Sequence, residues 1–197
     1  MMLTGGIAAF ATAHATGTLW LGVAVGSLAG AALAFIFAVL TLGLKANQVA
    51  SGLALAIFGA GFSAFLGKSY VGVALPQETS IFTQVIGAIP LIGPWLAQLH
   101  PLVYLSWLVF FGVFRFLYGT QAGLALRAIG ESPASAHSLG YSVNTVRLLA
   151  LLFGGAMAGI AGAYLALVYT SLWVEGLTAG RGWIALALVV FATWRPE

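Results

Sequence analysis

Long stretches without a charged side chain set the terms for this sequence. None stands between Met1 and Leu44, none between Ala46 and Gly67, and none between Leu148 and Val174. Crossing the hydrocarbon of a bilayer takes roughly 20 apolar residues at about 1.5 Å of rise each. Each of these runs is long enough. The composition agrees, with 61% hydrophobic and 6% charged residues against about 25% charged in an average soluble domain. Such a chain has too little charge to cover a surface in water, so its solvent is lipid. The expected class is an all-α polytopic membrane protein, a bundle of about six transmembrane or partial transmembrane helices.

The candidate spans are Leu3–Ala15, Leu19–Gly43, Ala46–Leu66, Leu102–Tyr118, Val143–Tyr169 and Trp183–Trp194. The first and last are short for a full crossing. Between Ile81 and Leu99 the chain is apolar, but Pro90 and Pro94 break any regular helix. A re-entrant or surface element within an outer loop at 69–101 is expected there. The whole of 1–197 reads as one membrane domain. If the segment 119–142 is cytoplasmic, Lys45, Arg115, Arg127, Arg147 and Arg195 fall inside, and Lys68 and Arg181 outside. That asymmetry follows the positive-inside rule. Arg115 then lies close enough to the inner end of its span to reach the headgroups. Trp20 and Trp173 are expected at the outer interface and Trp194 at the inner one.

The chain carries 26 glycines. Helices in lipid gain nothing by hiding oil from oil and rely on close contact between small residues. Gly22, Gly26 and Gly30 stand four apart, as do Gly155 and Gly159, and Gly154, Ala158 and Gly162. Packing faces are expected on both helices.

Several function classes are excluded. Cysteine is absent, so there is neither disulfide nor thiolate metal site, and His14, His100 and His137 are scattered. The net charge of +3 rests on few groups and gives no nucleic-acid footprint. No basic stretch precedes the opening apolar run, so it does not read as a cleavable signal. "GFSAFLGKS" (Gly61–Ser69) resembles a phosphate loop, but five residues separate its glycines where that loop has four, and it ends an apolar span. Paired carboxylates, a metal cluster or a nucleophile with its base are not found, so an enzyme is not expected, and neither is a cofactor bound by this chain.

The segment "RAIGESPASAHSLGYS" (Arg127–Ser142) is polar between two oily stretches. Ser132 is a good N-cap, Pro133 suits the first helical position, and Gly140 is placed to end the helix in a left-handed conformation. Glu131 favours the positive helix end. The expected element, within 131–140, is a rigid cytoplasmic peg of about seven helical residues or roughly 10 Å, too short to span and too polar for oil.

Arg127-Ala-Ile-Gly-Glu-Ser-Pro133, then Ala136, Gly140, Arg147 and "GGAMAGIAGAYLAL" (Gly154–Leu167), resemble the coupling segment and following span of ABC-importer permeases for simple sugars, nucleosides and branched-chain amino acids. "LKANQVASGLAL" (Leu44–Leu55) and "GLTAGRGWIALALVVFATWRP" (Gly176–Pro196) resemble the sugar/nucleoside branch, nucleoside permeases most closely. "MMLTGGIAAF" is similar to an internal stretch of that branch. The resemblance implies a type II ABC importer-like fold and a prokaryotic inner or plasma membrane. It also implies that Arg127, Gly130, Glu131, Ser132, Pro133, Ser135, Ala136 and Gly140 form a coupling helix docking on a cytosolic ATP-binding subunit. That partner would hold ATP and magnesium. Further implied partners are a second permease subunit and an extracellular or periplasmic substrate-binding protein. Family members carry more spans on both sides, so this chain is expected to be a fragment.

Asn47, Gln48, Ser51 and Ser63 are the candidate pathway residues, because amides and hydroxyls suit a neutral, hydroxyl-rich solute and polar groups in spans are functional candidates. Asn47 and Gln48 also read as interfacial helix caps. Glu175 and Arg181, among Gly176, Gly180 and Gly182, form either a local ion pair or a contact surface for the binding protein. A branched-chain amino acid permease and an ATP-independent secondary carrier are the competing readings.

Overall fold

The computed structural model describes residues 1–75, 99–178 and 180–192. Most of the segment expected to be re-entrant, together with Trp194 and Arg195, lies outside them. The described residues are overwhelmingly helical: α1 (Met2–Thr16), α2 (Leu19–Ala38), α3 (Gln48–Gly67), α4 (Pro101–Gly119), α5 (Gln121–Glu131), α6 (Pro133–Ser138), α7 (Val143–Tyr164) and α8 (Arg181–Phe191). Short π-helical turns extend α2 through Gly43 and α7 through Tyr169, and a 3-10 turn extends α3 through Tyr70. Four continuous helices are long and apolar enough to cross a membrane: Leu19–Gly43, Gln48–Tyr70, Pro101–Gly119 and Val143–Tyr169. These match the four long spans read from the sequence to within a few residues. The two short candidates form α1 and α8, of 15 and 11 residues.

The chain divides into two compact units, Met1–Pro76 with Asn144–Glu197, and Gln77–Val143. In the first, α1 is the core element. Thr4, Gly5, Gly6, Ile7, Ala9, Phe10 and Ala13 are all buried along it, and it packs against α2, α3 and the π turn of α7. Its shortness therefore reflects a helix enclosed by protein. Glycine makes the enclosure possible. A methyl added at Gly5 would come within 2.5 Å of the Gly159 Cα and 2.9 Å of the Gly26 carbonyl oxygen. One added at Gly26 would come 2.7 Å from the Gly5 oxygen. One at Gly30 would overlap the Gly155 oxygen and approach the Gly159 Cα at 2.8 Å. Backbones of α1, α2 and α7 thus touch directly, the association expected where dispersion and not water drives packing. The Gly22–Gly26–Gly30 and Gly155–Gly159 faces are both used. Gly154 is not: open space surrounds it, although Gly162 of the same proposed row lies against Met2 and Gly6.

Most of the remaining apolar surface is exposed. Val49, Leu53, Ile57, Phe58 and Phe65 of α3 face outward, as do Trp107, Leu108, Phe110 and Phe111 of α4. Only Gly59, Ser63 and Gly67 are buried on α3. Outward faces of this kind suit a lipid solvent.

In the second unit, residues 119–142, read from the sequence as a loop carrying one short helix, turn out to be mostly helical. The segment 119–142 holds two helices, because α5 precedes the peg. Thr120 caps α5, its Oγ1 accepting from the Gly123 N–H at 3.0 Å. Gly123 lets the first turn of α5 lie on the Phe116–Leu117 backbone, where a methyl would overlap the Phe116 carbonyl oxygen. Gly123, Ala125 and Ile129 form the buried stripe of α5.

Candidate coupling helix and transport surface

α6 is built from local rules. Its six residues, Pro133–Ser138, start at Pro133 in the first helical position. The Ser132 Oγ accepts from the Ser135 N–H at 3.4 Å and lies 2.8 Å from the Ser135 Oγ. At the other end Gly140 has φ +88°. Its N–H donates to the His137 oxygen at 3.0 Å and the Tyr141 N–H donates to the Ala136 oxygen at 3.2 Å. Both ends are closed as the sequence predicts, with one helical residue fewer. Glu131 is the last residue of α5, so the kink at Ser132 places its carboxylate just before the next helix. Ala136 is buried and anchors α6, whereas Arg127, Gly130, Glu131, Ser135 and Gly140 are exposed and Ser132 and Pro133 half-buried. The result is a short polar surface carried by one anchoring methyl. Leu139, 75% exposed at the tip, is a surface residue that the motif reading missed; its apolar side chain next to Gly140 was the available signal.

Arg127 is held. Its guanidinium carbon lies 4.7 Å from the centre of the Tyr118 ring, a cation–π contact that ties α5 to the last turn of α4. Arg115 folds along α4 to lie over Gly119, reaching toward the helix end as a snorkelling arginine does. At the start of α4, the Nδ1 of His100 accepts from the Leu102 N–H at 3.3 Å. Burial pushes this histidine's pKa down, and the cap itself needs the unprotonated nitrogen.

The pathway candidates all lie on or beside α3 but are not gathered into one cluster. Asn47 is its N-cap, Oδ1 accepting from the Val49 and Ala50 N–H groups at 3.0 and 3.2 Å. Gln48 is exposed and Ser51 half-buried in the first turn. Ser63 is buried, about 18 Å along the helix from Ser51 at 1.5 Å per residue, and its hydroxyl donates to the Ala60 oxygen at 2.9 Å. Beyond the other end of α7, Glu175 and Arg181, read as either an ion pair or a contact surface, are not paired with each other. Arg181 instead sits 4.7 Å over the Tyr169 ring, and Glu175 is exposed. Trp173 does not face outward. It is 1% exposed, drawn inward onto glycines of α1 and α3. Trp20 is exposed.

The family profile described as the branched-chain amino acid transport system permease component matches residues 1–196. The chain belongs to this permease family. A Haloferax volcanii protein provisionally named a glucose ABC transporter permease is 43% identical across 100% of the chain and 61% of its own length. A nucleoside ABC transporter permease of Lactococcus lactis is 29% identical over 91% of the chain and 58% of its length. A guanosine ABC transporter permease of Bacillus subtilis is 28% identical over 90% of the chain and 57% of its length. The permease described here thus spans about three fifths of the curated relatives it matches. No solved structure matches it. Family membership and the four long apolar helices agree that it is a polytopic membrane protein, with sugar and nucleoside permeases among its homologues.

Proposed function

We propose that this chain is the membrane-spanning part of an ABC-importer permease that moves simple sugars or nucleosides across a prokaryotic plasma membrane. The observation that carries the reading is the doubly capped polar helix α6 between two long apolar helices. A loose connector has no use for a proline start, a serine cap and a left-handed glycine stop in ten residues. A docking element does, because slack would lose the stroke passed on by an ATP-hydrolysing partner.

In this reading the face formed by Arg127, Gly130, Glu131, Ser132, Pro133, Ser135 and Gly140 meets a cytosolic ATP-binding subunit, and Ala136 holds the face in place. ATP and magnesium belong to that subunit. A second permease subunit and a substrate-binding protein complete the importer, the latter meeting the Glu175–Arg181 loop. Asn47, Gln48, Ser51 and Ser63 are the pathway candidates along α3, and Asn47 carries its capping task as well. The wide match to sugar and nucleoside permeases favours those solutes over branched-chain amino acids.

These 197 residues contain no cysteine, and any cysteine elsewhere in the full-length permease is first replaced by serine. Ser135→Cys, in the full-length permease in its native membrane, is given a short crosslinker and the adduct identified by mass spectrometry. A crosslink to a cytosolic ATP-binding protein is the expected result. Labelling only by an impermeant reagent from outside would reverse the topology and end the reading. Cytosolic labelling with no crosslinked partner would favour an ATP-independent carrier.

A further inference from the structure

Buried side-chain polar groups in the described part of the first unit find partners, with one exception. Thr4 donates to the Met1 oxygen and Ser63 to the Ala60 oxygen, each at 2.9 Å. The indole N–H of Trp173 is buried with no acceptor among the described residues. A buried donor left unpaired is costly, and sequences tend to remove such groups unless something uses them.

The surroundings of Trp173 show how it is held. The six-membered ring lies over Gly6 of α1, where an added methyl would approach it at 3.6 Å. The N–H edge is pressed onto Gly67 of α3, where an added methyl would overlap Nε1 itself. Two glycines thus make the slot that takes the indole between α1 and α3. The approach to that slot is strained. After the π turn of α7, Ser171 stands at φ +52°, a left-handed conformation that non-glycine residues adopt at a cost and mostly where function requires it. Short backbone pairings hold the strained segment: Val71 with Trp173, Ala74 with Leu172, and the Leu75 N–H donating to the Ser171 oxygen at 3.1 Å. Nearby at this end, Tyr70 meets Phe10 and His14 edge-on, with ring centres 6.0 and 5.8 Å apart. Phe10 and Trp173 are fully buried here, and among these side chains the indole N–H is the buried polar group left without an acceptor.

We infer that Trp173 is a specificity-determining residue of the transport pathway, its indole N–H donating to a hydroxyl or carbonyl oxygen of the passing sugar or nucleoside. This rests on the importer reading above. Trp173 lies at the end of α7 away from Val143, the end that reading turns outward. In the described state the indole closes on Gly67. Admitting solute requires α3 to yield, and α3 is the long helix of this unit with the fewest buried residues.

The experiment compares Trp173→Phe, which keeps a ring and deletes the donor, with the parent in the full-length permease and its partner subunits. Uptake of labelled glucose, its monodeoxy analogues, guanosine and 2′-deoxyguanosine is measured for each. Loss of one hydrogen bond predicts a drop of about five- to tenfold for the full substrate, and no comparable drop for the analogue that lacks the oxygen met by the indole. Ratios between solutes make the result independent of how much protein reaches the membrane. Gly67→Ala, which displaces the indole, should give the same altered ratios, whereas Gly61→Ala, in open space on the same helix, should not. If Trp173→Phe changes uptake of all carried solutes by one common factor, or of none, the role is structural and the inference is overturned. A parent that takes up none of these solutes would overturn the importer reading itself, a distinguishable failure.

Discussion

Replacing Gly159 by Ala adds one methyl group where three backbones meet. Built onto α7, that methyl overlaps the Gly26 carbonyl oxygen of α2 and lies 3.0 Å from the Gly26 carbonyl carbon and 3.1 Å from the Ser27 Cα. All three atoms are main chain, so no rotamer change relieves the contact and α2 must shift. The shift propagates, because Gly26 and Gly30 of α2 are also in close contact with α1 and α7 at Gly5, Gly155 and Gly159. Overpacking a filled interior costs about 1–3 kcal/mol, and a backbone obstacle places this case at the upper end. At roughly 2–4 °C per kcal/mol for a chain of this size, a fall of about 5–10 °C is expected. The control is Gly154→Ala, one residue from Gly155 but in open space. There the methyl meets nothing and helix propensity improves by up to about 1 kcal/mol. Thermal melts of the detergent-solubilised full-length permease, followed by loss of the monodisperse chromatographic peak, separate the two. A Gly159→Ala melting temperature within about 1 °C of the parent would refute backbone-to-backbone packing of α2 and α7.

Ser132→Ala should weaken the N-cap of α6 by about 1 kcal/mol and lower substrate-stimulated ATPase activity of the assembled importer, with Ser132→Asp restoring most of it; equal loss in both variants would show that the serine acts in some way other than capping. Asn47→Ala should impair uptake while the ATP-binding subunit stays bound. Asn47→Ser, which keeps the cap, would recover uptake fully if capping were the only task, and full recovery would remove Asn47 from the pathway. Lowering pH should loosen the start of α4: His100 has a depressed folded pKa, so its contribution is present above the ordinary value of about 6.5 and is lost as pH falls through the folded value. Protection at Leu102 and Val103, the exchange rate taken relative to the intrinsic rate at the same pH, should therefore fall on acidification, and His100→Asn, a cap that does not titrate in this range, should abolish the effect. Arg127→Gln should free α5 from Tyr118 at a cost of about 0.5–1 kcal/mol, seen as easier proteolysis near residue 120; an unchanged cleavage rate would mean that the ring contact does not hold α5.

The spans were legible because lipid imposes a strong rule: a run of apolar residues long enough to cross must satisfy its own backbone, and a helix does so. The ends of α6 were legible because Ser132, Pro133 and Gly140 each have one local task, independent of distant neighbours. The helix α5 was hidden by its composition. Its buried stripe is made of Gly123, Ala125 and Ile129, small residues that give a faint apolar period, and its cap Thr120 follows the end of a span. The partners of Trp173 and Arg181 were hidden for another reason. An aromatic or a cation near a span end reads as interfacial on average, whereas Gly6, Gly67 and Tyr169 that redirect these two lie far away in sequence or look unremarkable. Nothing local distinguishes Gly154, in open space, from Gly155, in contact with Ala34 and Gly30; only the neighbouring helices do.

The same glycines argue where the first unit can move. Helices α1, α2 and α7 meet through main-chain atoms, and bodies that interlock at backbone distance cannot slide without first separating. Packed interiors of that kind have discrete arrangements and transmit strain. α3 meets its neighbours differently. At Gly59 an added methyl finds the Thr4 methyl at 3.8 Å, the Leu33 side chain at 4.0 Å and the Met1 nitrogen at 4.0 Å, ordinary van der Waals contacts with room to give. At Gly67 the contact is the Trp173 indole, a side chain carried on a strained segment. Dispersion contacts between side chains are weak one by one, so a shift of α3 gives up less per contact than prising apart the glycine-fused trio. If the unit has a moving wall, the chain has placed its polar candidates Asn47, Gln48, Ser51 and Ser63 on that wall, and the unpaired indole donor at its far end.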